Sequence, residues 1–89
     1  MNHYDIDNLG NKIRLIYRKN DQVMRILTIK LGDSLTIQPD NPKKMKNRGR
    51  QCTIEGFHKD DIGYPIQAIV KFNDTNKIGK VDLIDLVAN

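Results

Sequence analysis

The sequence predicts an all-β fold, a small barrel or sandwich of short strands. Three observations carry this reading. Apolar and polar residues alternate through several short segments. Gly, Pro, Asn and Asp cluster between those segments at spacings of about eight to twelve residues. No segment calls for a helix longer than about two turns. At 89 residues the chain holds one domain's worth of length, so its elements share a single core. Hydrophobic residues make up 38% of it, more than a disordered chain carries, but with few aromatics the core is modest and encloses no large substrate cavity.

In chain order, the start, "MNHYDIDNLG", is acidic, and His3 within it is expected to lie in a disordered end. Residues 11–31, "NKIRLIYRKNDQVMRILTIKL", support two readings. As strands, Ile13, Leu15 and Tyr17 alternate with Lys12, Arg14, Ile16 and Arg18, "KND" turns the chain, and "QVMRILTIKL" returns. As a helix, Leu9, Ile13, Ile16 and Tyr17 form a stripe behind a cap at Asp7 or Asn8. The β-branched content and the Asn20-Asp21 pair favour the hairpin.

Residues 1–31 are thus expected to form an N-terminal extension packing on a barrel of residues 32–89. "GDSLTIQP" sets Leu35 and Ile37 on one face, with Asp33 as a turn residue, and Pro39 and Pro42 are expected to forbid regular structure in the next stretch. "RQCTIEGF" sets Cys52 and Ile54 inward, with Gly56 at a bulge or bend. "HKDDIGYP" is a connector. "PIQAIVKF" points Ile66, Ala68, Val70 and Phe72 inward. In the closing "KVDLIDLV" Val81 and Leu83 continue the alternation, and "LIDL" reads as one helical turn flanked by Asp82 and Asp85, whose carboxylates are expected to cap local amides.

Charge is unevenly placed. The net charge of +4 divides into −2 over residues 1–11, +8 over residues 12–50 and −2 over residues 51–89. An excess of cations in the middle suggests an anionic partner there. One cysteine, Cys52, excludes an intramolecular disulfide and any multi-cysteine metal site, and a single thiol suits a reducing compartment. The acidic N-terminus does not read as a signal peptide, and no apolar run reaches the ~18 residues of a membrane span, so a cytoplasmic protein without membrane contact is expected. The abundance of Ile, Lys and Asn suits an AT-rich bacterial or phage genome.

The segments "GDSLTI" and "RGRQCTIEGF", with the closing "AIVKFNDTNKIGKVDLIDLV", resemble the strands of KOW- and Tudor-like members of the SH3-like barrels over about residues 32–88. The resemblance implies about five strands, a basic loop between the first two, and a one-turn helix near the end. It also implies binding of RNA, DNA or a ribonucleoprotein surface, often beside a protein partner. Cys52 stands where KOW strands usually carry glycine, and Tyr64, Phe57 and Phe72 are too few to promise an aromatic cage.

The strongest local feature is "NPKKMKNRGR", where Lys43, Lys44, Lys46, Arg48 and Arg50 follow one another with no acid between Asp40 and Glu55. Arginine forks and lysine point charges on a Pro- and Gly-broken loop suit phosphate contacts. If all five engage, affinity falls with log salt at a slope of about −4 to −5. Lys12, Arg14 and Arg18 extend the cationic set, and Tyr64 could stack on a base. The expected role is a non-enzymatic accessory protein that binds nucleic acid or a nucleoprotein as a monomer or homodimer, without metal or cofactor. The rival is a protein-interaction adaptor meeting an acidic partner surface. Neighbouring side chains in the stretch that holds His58, Asp60 and Asp61 usually point in different directions, and no second His lies nearby, so they make a poor general-base or metal site. Cys52 reads as a core residue rather than a nucleophile.

Overall fold

The computed structural model describes residues 2–39 and 42–89, with the side chains of Asn2, His3, Lys44 and Met45 outside the description. The fold is all-β. Strands β1 (Asn2–Asn8), β2 (Lys12–Lys19) and β3 (Gln22–Lys30) form one antiparallel sheet, ordered β1-β2-β3. Strands β4 (Ser34–Ile37), β5 (Gln51–Lys59), β6 (Pro65–Phe72), β7 (Ile78–Asp82) and β8 (Leu86–Ala88) form a second, ordered β7-β6-β5-β4-β8. Its first four strands make a meander, and a one-turn 3-10 helix, Leu83–Asp85, returns the chain so that β8 pairs with β4. The second, five-stranded sheet is thus joined to an N-terminal extension that is itself a three-stranded sheet.

The hairpin reading of residues 11–31 holds. Asn20 and Asp21 have φ of 51° and 65°, the two left-handed residues that a tight two-residue hairpin turn demands and that Asn and Asp tolerate best. The chain start is not disordered as expected. Residues 2–8 pair along β2 from Asn2↔Lys19 to Asn8↔Ile13. Tyr4 and Ile6 alternating with Asp5 and Asp7 is itself a strand pattern, and the Tyr4 ring packs 5.8 Å from Tyr17.

Ile13, Leu15, Leu27 and Ile29 bury the inner face of the first sheet in the same cluster as Leu35, Ile37, Cys52, Ile54, Ala68, Val70, Leu83 and Leu86. One core therefore joins both sheets. Glu55 is the extra residue of a β5 bulge beside Gly56, as the glycine suggested.

Three further expectations need correction. Ile66 does not point inward but is exposed, because the pairing slips between His58↔Gln67 and Lys59↔Pro65 and leaves Ile66 as the odd residue, while Pro65 takes the buried place. The stretch after Pro39 is not wholly irregular, since Pro42–Asn47 forms a 3-10 helix. A proline at a first helical position gives up an N–H that would go unpaired anyway. Asp82 makes no side-chain cap to the closing turn, and its carboxylate instead accepts a hydrogen bond from Gln67 Nε2 at 3.1 Å.

Candidate nucleic-acid interface

The basic loop leaves the barrel between β4 and β5, and its neck is pinned. Ile37 N–H donates to the Arg50 carbonyl at 2.9 Å and Gly49 N–H donates to the Ile37 carbonyl at 2.7 Å. Gly49 turns the chain there with φ of +82°, which a residue bearing a Cβ adopts only with strain. One residue on, Gln38 N–H donates to the Asp85 carbonyl, tying the loop to the closing 3-10 turn. A loop fixed at both ends can offer its cations without ordering a long free segment. Lys43, Lys46 and Arg48 are exposed on it; the side chain of Lys44 lies outside the described residues.

Arg50 has a different position. Its guanidinium lies 4.0 Å from the Phe72 ring centroid, with Nη1 donating to Asn47 Oδ1 and Nη2 to Asp74 Oδ1, both at 2.8 Å. The Arg50 contact, chiefly its hydrogen bond, holds the Asp74 carboxyl below its ordinary range. Arg50 thus staples the loop to the β6–β7 turn, and its fork is turned into the fold. Beside it Arg48, Gly49, Gln51, Asn73 and Asp74 line an open groove of about 530 Å³.

On the other flank, Lys46 and Asn47 face Lys80 across a cleft of about 240 Å³ that Gln67, Asp82 and the buried Asp85 also line. Lys80 was not among the residues singled out from sequence. The signal was available: Gly79 and Val81 bracket it, Val81 is buried, and strand alternation sends Lys80 to the opposite face.

The remaining candidates stand elsewhere. Lys12, Arg14 and Arg18 lie on the face of β2 opposite Ile13 and Leu15, turned away from the barrel core, and Arg18 Nε is paired with Asp5 Oδ2 at 2.7 Å. Tyr64 sits past the far end of β5, roughly 25–30 Å of strand from the loop. Its hydroxyl donates to the Ile6 carbonyl at 3.5 Å, so it anchors the β5–β6 connection to the N-terminal sheet.

Asp60 is a turn residue, its Oδ1 accepting from the N–H groups of Ile62 and Tyr64 at 3.1 and 2.8 Å. Asp33 acts likewise, with Oδ2 accepting from Lys30 N–H at 2.9 Å. Cys52 is fully buried, and burial pushes its thiol pKa up, the opposite of nucleophile activation. No helix among the described residues is long and apolar enough to cross a membrane, and no group of three or more His, Cys, Asp or Glu there could hold a metal ion. No protein-family model matches the chain, and no curated protein or solved structure is significantly similar to it.

Proposed function

We propose that this protein is a non-enzymatic accessory factor that binds nucleic acid, free or within a nucleoprotein, through phosphate contacts from the β4–β5 loop. The observation that carries the reading is the loop itself: Lys43, Lys46 and Arg48 exposed on a segment pinned at its neck, with Lys80 across the adjoining cleft. Such a set grips a phosphate backbone and reads no base edge, so binding is expected to be tolerant of sequence. With few aromatics, stacking on unpaired bases contributes little. The lone buried thiol supports a reducing, cytoplasmic setting.

Because Arg50 is held by Asp74 and Phe72, the loop contributes fewer phosphate contacts than its charge count. Three to four contacts give a slope of log affinity on log salt of about −3 to −4, or roughly a hundredfold loss between about 50 and 200 mM salt. Fluorescence anisotropy with a labelled 20-mer, single- and double-stranded, tests this. Salt-sensitive binding with that slope is expected; no binding at low salt up to tens of micromolar protein would refute it.

A further inference from the structure

We propose a second binding surface, distinct from the loop: the free edge of β3, which takes an extended segment of an acidic partner protein as an added strand. β3 has one neighbour in its sheet, and among the described residues no strand pairs with its other side. At the C-terminal end of this edge the Lys30 N–H and carbonyl are both bonded to Asp33, through Oδ2 at 2.9 Å and N–H at 3.1 Å. Lys30 therefore directs its backbone outward, and strand alternation makes Thr28 and Ile26 the next residues whose N–H and C=O face away from β2. These groups form a short row open to pairing, flanked by the exposed apolar side chains of Val23, Met24 and Ile26.

Charge selects the occupant. From Lys12 to Lys30 six cations stand against one acid, Asp21. Lys12 and Lys30 are direct cross-strand partners, a like-charge pairing that disfavours the sheet unless an anion lies near. Asp5 is taken by Arg18 and Asp7 stands directly opposite Arg14, so Lys12 and Lys30, each the other's cross-strand partner, are the cations left for an incoming anion. Val23, Ile26, Thr28 and Lys30 share the outer face of the sheet, so a strand whose outer-face residues are acidic beside Lys30 and apolar beside Ile26 and Val23 satisfies all three demands. It pairs with the backbone row, covers Val23 and Ile26, and brings carboxylates to Lys30 and, beyond it, Lys12. A nucleic acid would answer the charges but leave the apolar side chains and the hydrogen-bonding row uncovered. A second β3 would set Arg25 and Lys30 against a strand that carries no acid.

The probe is the fluorescein-labelled octapeptide Glu-Thr-Glu-Thr-Val-Thr-Val-Thr, which run antiparallel to β3 sets its glutamates beside Lys30 and its valines beside Ile26 and Val23, read by anisotropy and by amide NMR, with the peptide carrying Lys for Glu as control. Binding is expected for the acidic peptide alone, with shifts and slowed hydrogen exchange at Ile26 and Thr28. Thr28→Pro removes an outward N–H without touching the β2 ladder, and about a tenfold weakening is expected. Should that variant fail to fold, Lys12→Glu/Lys30→Glu alters side chains alone and is expected to weaken binding by at least about tenfold. The proposal is overturned by no binding up to about 1 mM peptide, by shifts confined to residues 42–50, or by unchanged affinity in the charge-reversed variant. It is equally overturned if sedimentation shows a dimer whose formation shifts Ile26 and Thr28 without peptide, or if the labelled 20-mer shifts them.

Discussion

Arg50 shows why a run of cations does not translate residue for residue into a binding site. It lies in the same basic run as Arg48, yet only Arg50 stands next to strand β5, where it meets the Phe72 ring and Asp74. Sequence reveals the run; it does not reveal that a residue 22 positions on supplies the ring. Arg50→Ala is expected to lower stability by about 1–2 kcal/mol in urea denaturation, and Arg50→Lys to recover little of it, because an ammonium lacks the flat stacking face. The Asp74 pair carries a pH signature. A carboxyl held below its ordinary value stabilises the fold above the unfolded pKa of about 3.9 and loses that contribution as pH falls through the lowered folded value. Asp74→Asn should therefore melt below the wild type near neutral pH and converge with it in strong acid. Asp74 is exposed, so the gap is small and shrinks with salt. Cys52, buried with a raised pKa, is expected to react with a thiol reagent only as fast as the protein unfolds.

At the scale of elements, alternation and turn chemistry made most of the barrel legible: Leu35 with Ile37, Cys52 with Ile54, and Ala68 with Val70 are buried as their period of two requires. What escaped were the places where pairing slips. Ile66 is exposed because the β5–β6 register skips it, and register is a property of two strands, invisible along one. β1 escaped because only Tyr4 and Ile6 of its seven residues are strand formers while four are Asn or Asp, and only the facing β2 decides the outcome. Gly79 in β7 marks a tight contact of the same kind, since a Cβ there would come 2.7 Å from Phe72 Cε2. Gly79→Ala is expected to cost about 1–3 kcal/mol and, by displacing the ring beneath Arg50, to loosen the loop as well, seen as faster amide exchange at Gly49. In the β2–β3 turn Asp21→Gly relieves a left-handed residue and should raise stability by about 0.5–1 kcal/mol.

Over the whole molecule, one apolar cluster spans both sheets, so the N-terminal extension is part of the fold's stability. Ile13→Ala, which empties its centre from the extension's side, is expected to cost about 2–5 kcal/mol and to lower a single transition seen alike by circular dichroism and tyrosine fluorescence. Two separate transitions would mean that the sheets stand alone. The same assembly distributes the charge. The cations that cluster between residues 12 and 50 in sequence separate in space into the pinned loop, beside Lys80, and the N-terminal sheet, where Lys12, Arg14 and Arg18 hold the outer face of β2. Tyr64 belongs to neither, fastened instead at the other end of β5. Sequence gave notice of a basic middle, but the split depends on strand faces that only the packed sheets define. The most direct test compares two variants in the 20-mer titration at low salt, Lys43→Ala/Lys46→Ala/Arg48→Ala and Lys12→Ala/Arg14→Ala. The loop variant is expected to lose at least about tenfold in affinity and most of the salt slope, with the β2 variant close to wild type. Loss in the β2 variant with binding retained in the loop variant would contradict the assignment of the loop as the nucleic-acid interface.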